Sequence, residues 1–382
     1  MKWKIALSDL DFDQRELKSV VSVIKGKWLS MGGMVKKFED RFAQYIGTKY
    51  ALATSSGTAA LHLALRALNI KVGDEVLVPS ITFVASANAV LYTEAKPKFV
   101  DSTSLDDFNL SVEDLEKKIT KKSKAIIVVH YAGYIADMEQ IKRIAQKYNL
   151  SIIEDSAHAI GVSFGRKMAG NLGDIGCFSF FANKNMATGE GGMVTTNNEM
   201  VAQKIRLLRS HGMTSSTWER EKGRASSYDV VDLGYNYRMT EIAAALGLEQ
   251  LKKLSKNNLI RKKLTGYYVA YLNSVKGIAI PFRDYPRDSS FHLFPILLDK
   301  TIDRKKVIQR LRNKEIQTSI HYPPVHRFSY YQKKYKSTAL PDAEYIGSHE
   351  LTLPLHPLLT RREIKYVCDE FKKSIKDLIN YS

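Results

Sequence analysis

GCFSFFANKNMATGEGGMVTT, residues 176–196 of this 382-residue chain, reads as strand, loop, strand. Ile175–Phe181 is an apolar run of the length of a buried strand, and Met193–Thr195 begins a second. Gly189-Glu190-Gly191-Gly192 marks a backbone that turns tightly between them. One lysine, Lys184, stands in the loop among Ala182, Asn183, Asn185, Met186 and Ala187. In a chain with 58 Lys and Arg residues, a lysine carries no information by itself. Desolvated between two buried strands, however, its ammonium would have a lowered pKa, and the free amine could form a Schiff base. Exposed, it would be an ordinary loop lysine, and the segment alone leaves both readings open.

Working outward, the surrounding chain alternates strand and helix. Residues 12–26 and the apolar positions Val35, Phe38, Phe42 and Ile46 have helical spacing. Strands are then expected at Tyr50–Thr54, Glu75–Val78, Lys96–Val100, Ala125–His130 and Ser151–Glu154. Helices Thr58–Leu68, Phe83–Tyr92, Val112–Ile119 and Met138–Tyr148 fall between them. With the two strands around Lys184 this makes a seven-stranded, mostly parallel sheet flanked by helices, an α/β fold. After a helix at Val201–Leu208 comes a polar stretch, 211–229, that reads as a mobile loop. A long helix starts at Thr240 and runs to about Leu272. Beyond it the alternation changes: strands near Phe291–Leu297 and Gln317–His321, helices at Arg304–Asn313 and Thr360–Leu378. The expected division is a large domain over 1–250 and a smaller α+β domain over 251–382.

Composition narrows the class. Hydrophobic residues make up 44% and charged residues 26%, as in globular proteins. No apolar run reaches bilayer-spanning length, and the start, MKWKIALSDLDFDQRE, lacks a signal-peptide core. Cys177 and Cys368 are too few for a disulfide framework or a CxxC metal site, so no metal is expected, and Cys177 within a strand reads as a buried, inert thiol. These features point to a cytoplasmic location. The net charge of +18 would suit a phosphate, a nucleotide or a membrane surface. The basic residues are scattered in small groups without a nucleic-acid-binding signature, so a lysine-rich composition on solvated faces is preferred to nucleic-acid binding.

Four segments end strands of the large sheet, where open α/β sheets bind ligands. Ser55-Ser56-Gly57-Thr58 opens a helix and could hold a phosphate or serve only as an N-cap. Pro79–Phe83 can bring an aromatic ring, Phe83, to the sheet edge, or simply bury it. Asp155 ends the apolar strand Ile152-Ile153-Glu154, a costly place for a carboxylate without a cation; a protonated ring nitrogen would be such a partner. His158 could face the same pocket or satisfy a backbone carbonyl. The fourth segment is Phe178-Ser179-Phe180 with Lys184. Together they supply an amine, an acid, an aromatic ring and a phosphate cup, the parts of a pyridoxal phosphate site.

With these motifs the chain resembles the DegT/StrS-type pyridoxal-phosphate-dependent sugar aminotransferases of the fold-type-I superfamily. The matching stretches are WLSMGGMVKKFE (28–39), SSGTAALHLAL (55–65), PSITFVAS (79–86), EDSAHAIG (154–161), GDIGCFSFFANKNMATGEGG (173–192), GYNYRMTEIAAALGLEQL (234–251), HYPPVH (321–326) and LTLPLHPLLT (351–360). The resemblance implies that Lys184 is the Schiff-base lysine, that Asp155 holds the pyridine nitrogen and that Phe83 stacks on the ring. It sets His158 beside the ring phenolate and Gly57, Thr58 and Ser179 in the phosphate cup. Asn236 matches an asparagine that reaches the phosphate of a neighbouring subunit, which implies a homodimer with shared sites. Tyr322 and His326 match a segment near the sugar-nucleotide pocket, and Trp28 lies in a loop (28–32) that, with 211–229, is a candidate to close over it.

The implied reaction moves an amino group from L-glutamate to a nucleotide-linked 4-keto-6-deoxyhexose, for amino-sugar biosynthesis. A 3-keto nucleotide sugar or a cyclitol is the alternative acceptor. Some members of the group carry histidine in place of the lysine and act as sugar dehydratases; Lys184 favours transamination.

Overall fold

The computed structural model describes residues 3–215, 217–223, 225–335 and 339–379. Residues 216 and 224, inside the expected loop 211–229, lie outside the described residues.

Two helices lead in. A capping box between Asp13 and Glu16 opens α1 (Gln14–Lys25), and Gly47, at φ 79°, ends α2 (Gly33–Ile46). Then follow β1 (Tyr50–Thr54), α3 (Gly57–Ala67), β2 (Glu75–Pro79), α4 (Ala85–Tyr92), β3 (Lys96–Val100) and α5 (Val112–Lys118). Next are β4 (Ser123–Val129), α6 (Met138–Tyr148) and β5 (Ser151–Asp155). A small hairpin of β6 (Ser163–Phe164) and β7 (Lys167–Met168), not foreseen from the sequence, precedes β8 (Ile175–Ser179) and β9 (Gly192–Thr196).

Seven of these strands form one sheet in the order β1-β9-β8-β5-β4-β2-β3. All pairings from β8 to β3 are parallel, and only β9 runs against both its neighbours. The reason is the connection from β8 to β9. It contains no crossover helix, so the chain turns back beside the strand it has just left. Both faces are covered. Along β4, Ile127 and Val129 enter one core with Leu63, Val78 and Ile153, while Ile126 and Val128 enter the other with Leu77, Ile141 and Ile152. Burying each such side chain is worth roughly 1.5–3 kcal/mol. Cys177 is buried in this sheet, and burial pushes its thiol pKa well up, as expected of an inert thiol.

The second half begins with α7 (Glu199–Leu208), α8 (Thr217–Glu221) and α9 (Glu241–Leu272). The short α8 interrupts the stretch expected to be a loop. Residue 250 falls inside α9, so one helix serves both parts of the chain. Its start packs with Phe38, Phe178 and Phe180, and its end with Phe294, Leu311 and Phe371. The smaller part contains β10 (Ile278–Ala279), β11 (Phe294–Leu298), α10 (Arg304–Asn313), α11 (Ser329–Lys334), α12 (Pro341–His349), β12 (Glu350–Leu353) and α13 (Arg361–Ile379). Its antiparallel sheet has the order β10-β11-β12.

Two expectations change here. Gln317–His321 is not a strand: Glu350–Leu353 takes the place beside β11, and the earlier segment touches the sheet only through a bridge between Ser319 and Thr352. Ile5, expected with the large domain, is buried in the second core and bridges to Ile316. Among the described residues no helix is long and apolar enough to cross a membrane.

Candidate active site

A cavity of about 390 Å³ opens at the ends of β5 and β8. Among its lining residues are Gly57, Thr58, Phe83, Asp155, His158, Ser179, Lys184 and Tyr322. The tertiary structure thus brings together every expected cofactor residue except Asn236.

Lys184 owes its place to the loop after β8. Phe180 pairs with Gly191 and Thr188 across the loop, and the Lys184 N–H bonds to the Phe181 carbonyl at 2.9 Å. Met186 and Ala187, next in the chain, are fully buried and anchor the turn. Asn185 adds a polar anchor: its amide nitrogen donates to Asn258 Oδ1 at 2.9 Å and to the Ser290 carbonyl at 2.8 Å, and its oxygen accepts from His292 Nδ1 at 2.9 Å. Burial pushes the Lys184 ammonium down to about 8, against the opposing pull of Asp155. Near that pH a large share of molecules carry a free amine. The desolvated alternative for this lysine is the one the fold adopts.

Asp155 and Glu154 are neighbours on β5 and so face opposite sides of the sheet. Glu154 is saturated: it accepts from the Gly170, Leu172 and Gly173 N–H groups at 2.8, 2.6 and 2.6 Å, and its Oε2 stands 3.0 Å from His130 Nε2. The Ala136 N–H donates to His130 Nδ1, so the His130 proton sits on Nε2. Glu154 is therefore a structural carboxylate. Asp155 faces the cavity with spare acceptor capacity. Ser86 donates to its Oδ2 at 2.8 Å and the Ala157 N–H to its Oδ1 at 3.2 Å. Burial raises its pKa, and these two donors together with the Lys184 charge oppose the rise. A buried carboxylate with no hydrogen-bonded cation is what a protonated ring nitrogen would complete.

His158 is buried, and its Nε2 stands 3.0 Å from the Tyr322 hydroxyl. Its Nδ1 has no protein partner. Burial, then the nearby Lys184 charge, holds the ring far below its ordinary pKa, so it is neutral. Phe83 stands at the rim, 57% exposed, with its ring centre 6.0 Å from that of Tyr322. Its exposure rules out the ordinary core role and leaves one face for a planar ligand.

At the other end of the cavity, Ser56 caps α3 by accepting the Ala59 N–H at 3.1 Å. The first-turn N–H groups of Gly57 and Thr58 have no intrahelical partners. A Cβ at Gly57 would meet Ser179 Cβ at 2.8 Å, so glycine is what lets the helix start press against the end of β8. Amide groups at a helix N-terminus beside a serine hydroxyl make an anion cup. The acid, the amine, the orphaned imidazole nitrogen and the cup all fit pyridoxal phosphate.

Three expected residues lie elsewhere. Both ring nitrogens of His326 are engaged, Nδ1 with Ser80 at 2.6 Å and Nε2 with Glu344 at 3.2 Å, so it ties the end of β2 to α12 instead of lining the cavity. Trp28 stands against Gly32 beside Trp218. Its loop is pinned, because the Glu241 carboxylate accepts the N–H groups of Gly32, Met34 and Val35 at 3.0, 2.8 and 2.8 Å. Among the described residues, loops 28–32 and 211–229 therefore meet each other, and neither lines the cavity of their own chain. Asn236 is exposed, its backbone bridged to Ser210, and it does not line this cavity. Sequence reading missed Ser86 and His321, which bound the site. Ser86 was open to discovery, since it lies in the first turn of a helix after a strand end, as Ser56 nearly does.

A fold-type-I sheet with this cavity defines a pyridoxal-phosphate-dependent enzyme. The chain belongs to the DegT/DnrJ/EryC1/StrS aminotransferase family, whose pattern it matches over residues 10–372. It is 38% identical to GDP-perosamine synthase of Escherichia coli O157:H7, covering 95% of this chain and 96% of that protein. It is 37% identical to the spore coat polysaccharide biosynthesis protein SpsC of Bacillus subtilis, covering 96% and 95%. Among solved structures, Helicobacter pylori PseC, an aminotransferase involved in the biosynthesis of pseudoaminic acid, superimposes with a TM-score of 0.92 at 30% identity, covering 98% and 100%. The E. coli GDP-4-keto-6-deoxy-D-mannose-3-dehydratase superimposes with a TM-score of 0.88 at 27% identity, covering 97% and 100%.

Proposed function

We propose that this enzyme transfers an amino group from L-glutamate to the keto carbon of a nucleotide-linked 4-keto-6-deoxyhexose. The observation that carries the reading is Lys184, an amine with a depressed pKa that shares one cavity with the buried Asp155. The named relatives supply the sugar-nucleotide class.

Pyridoxal phosphate, when bound, supplies a carbonyl that condenses with amines and a ring that takes up an electron pair. Asp155 would hold its ring nitrogen protonated, Phe83 would cover one face and His158 would face the phenolic oxygen. Gly57, Thr58 and Ser179 would hold the phosphate. Lys184 Nζ, uncharged, would accept the proton leaving the donor's Cα and return it to the carbon on the far side of the amine nitrogen, acting as base and then acid. The neutral His158 and the Tyr322 hydroxyl shape the cavity wall beside it without adding charge.

Asn236 lies outside its own cavity, exposed. We assign it to the phosphate bound in a second copy of the chain, making a homodimer with shared sites. Asn236→Ala should then weaken cofactor retention. A mixed dimer of Lys184→Ala and Asn236→Ala subunits should regain one working site of two, read as turnover after the two homodimers are unfolded and refolded together and assayed at a cofactor concentration too low to load Asn236→Ala. Failure to complement would place both residues in the same subunit's site.

Loss of water is the second reading, favoured by the dehydratase structure. Both readings are tested by the visible absorption of the cofactor-loaded protein with L-glutamate, followed by product analysis on keto sugars. A band that bleaches with glutamate, and an amine on the product, supports transfer. A band indifferent to glutamate, or a product that has lost water, overturns it.

A further inference from the structure

Behind the cavity wall lies a carboxyl that the reaction above does not use. Glu350, the first residue of β12, is fully buried. Its Oε2 accepts the backbone N–H of His321 at 2.7 Å, and its Oε1 meets the Thr352 hydroxyl. That same hydroxyl stands 2.9 Å from His321 Nδ1. Among the described residues no cation bonds to the carboxyl. Arg304, from α10, gives its hydrogen bonds to the carbonyls of Gly347 and Glu350. The Tyr131 hydroxyl donates to the His321 carbonyl, and Tyr322 points at His158. With His321 itself, these are the titratable and charged groups around Glu350 among the described residues; the His321 ring is faced in addition by Lys184, His158 and His292.

A hydroxyl has one proton to give. If Glu350 is ionised, Thr352 donates to it. His321 Nδ1 must then carry the ring proton and donate to Thr352, which leaves Nε2 as a bare acceptor. If Glu350 keeps its proton, it donates to Thr352, Thr352 donates to His321 Nδ1, and the ring proton stands on Nε2. His321 lines the cavity and a smaller one beside it with His292 and Thr352, and among the described residues no hydrogen bond engages its Nε2.

We propose that Glu350 is a positioning residue whose proton, acting through Thr352, sets the tautomer of His321, so that Nε2–H is offered into the cavity as a donor to an oxygen of the bound substrate. Burial supports this arrangement, pushing Glu350 up to about 8 and His321 down to about 3, the latter with help from the Lys184 charge. Near neutrality the acid keeps its proton and the ring is uncharged. Raising the pH through about 8 removes one proton from Glu350, and the ring proton passes from Nε2 to Nδ1 by exchange with water. The wiring stands on geometry alone; only its consequence for substrate rests on the aminotransferase reading.

The test is the nitrogen resonances of 15N-histidine-labelled protein between pH 6 and 9.5. His321 is identified by the signals lost in His321→Gln. In the wild type, Nδ1 should be unprotonated at neutral pH and gain its proton as the pH rises, opposite to an ordinary titration. Glu350→Gln, whose amide donates to Thr352 and whose carbonyl accepts the His321 N–H, should hold the Nε2–H tautomer throughout. Thr352→Val, which breaks the relay but leaves Glu350 in place, should abolish the inverted response. A wild-type ring that is Nδ1–H already at pH 6, or an inverted response unchanged by Glu350→Gln, overturns the proposal. In turnover, KM for the keto sugar should rise roughly 3- to 10-fold above pH 8 in the wild type and stay level in Glu350→Gln, the size of one neutral hydrogen bond. A KM equally pH-dependent in both also counts against it. The resonances report whether or not the enzyme accepts the sugar, so failure of the relay and failure of the proposed reaction are told apart.

Discussion

Replacing Lys184 by alanine is expected to lower turnover by at least about 10,000-fold, since one side chain supplies both the Schiff-base amine and the proton shuttle. The fold should survive. The loop is anchored by Met186, Ala187 and the Asn185 hydrogen bonds, none of which involve the lysine side chain. Removing a desolvated ammonium also takes away a folding penalty, so the melting temperature should not fall. The variant should still bind pyridoxamine phosphate, which needs the cup and the acid but not the amine. Steady-state kinetics with glutamate, thermal melts and pyridoxamine phosphate binding check the three parts. Substantial residual transamination in a well-folded variant would remove Lys184 from its assigned role.

Asp155→Asn is expected to cost roughly 100- to 10,000-fold in the donor half-reaction. The amide is nearly isosteric: its oxygen can keep the Ala157 N–H and its NH2 can donate to Ser86, whose hydroxyl then turns to Thr82, so packing should be preserved. What disappears is the negative charge that favours a protonated ring nitrogen. A second consequence has a definite sign. The Asp155 carboxylate holds the Lys184 pKa up against burial. Without it the amine is freed at lower pH, so the midpoint of cofactor uptake by the apoprotein should move below the value of about 8 set in the wild type. Stopped-flow absorbance over a pH series reads this directly. Near-normal kinetics, or an upward shift of the midpoint, would contradict the assignment.

The layout of the large sheet was legible because its cues are local. Apolar runs of strand length alternate with helical spacing, and short turns between them leave few topologies. The expected bounds of β1, β3 and α6 agree with those observed. Lys184, Asp155 and Ser179 were legible because each ends or follows a buried strand, where a polar residue is out of place unless something binds it. The smaller part was less readable. Gln317–His321 and Glu350–Leu353 are both short segments that could pair with β11, and only packing chose the second. For His326 the sequence could not tell a histidine that ties two elements from one that meets a substrate, and its ring nitrogens are engaged by Ser80 and Glu344.

Sequence alone determined the chemistry available: one amine in a glycine-bounded loop, one carboxylate at a strand end, a ring and an anion cup in a fixed order along a parallel sheet. Strand periodicity also determined that Glu154 and Asp155 face opposite ways. What only the tertiary structure decided is the fate of Glu154, which His130 and three backbone N–H groups from residues 170–173 saturate, leaving Asp155 as the carboxylate free for a ligand. The same holds for Lys184, whose lowered pKa comes from the dehydrated space that distant segments close around it. Desolvation and hydrogen-bond satisfaction are properties of a folded neighbourhood, and no stretch of chain carries them on its own.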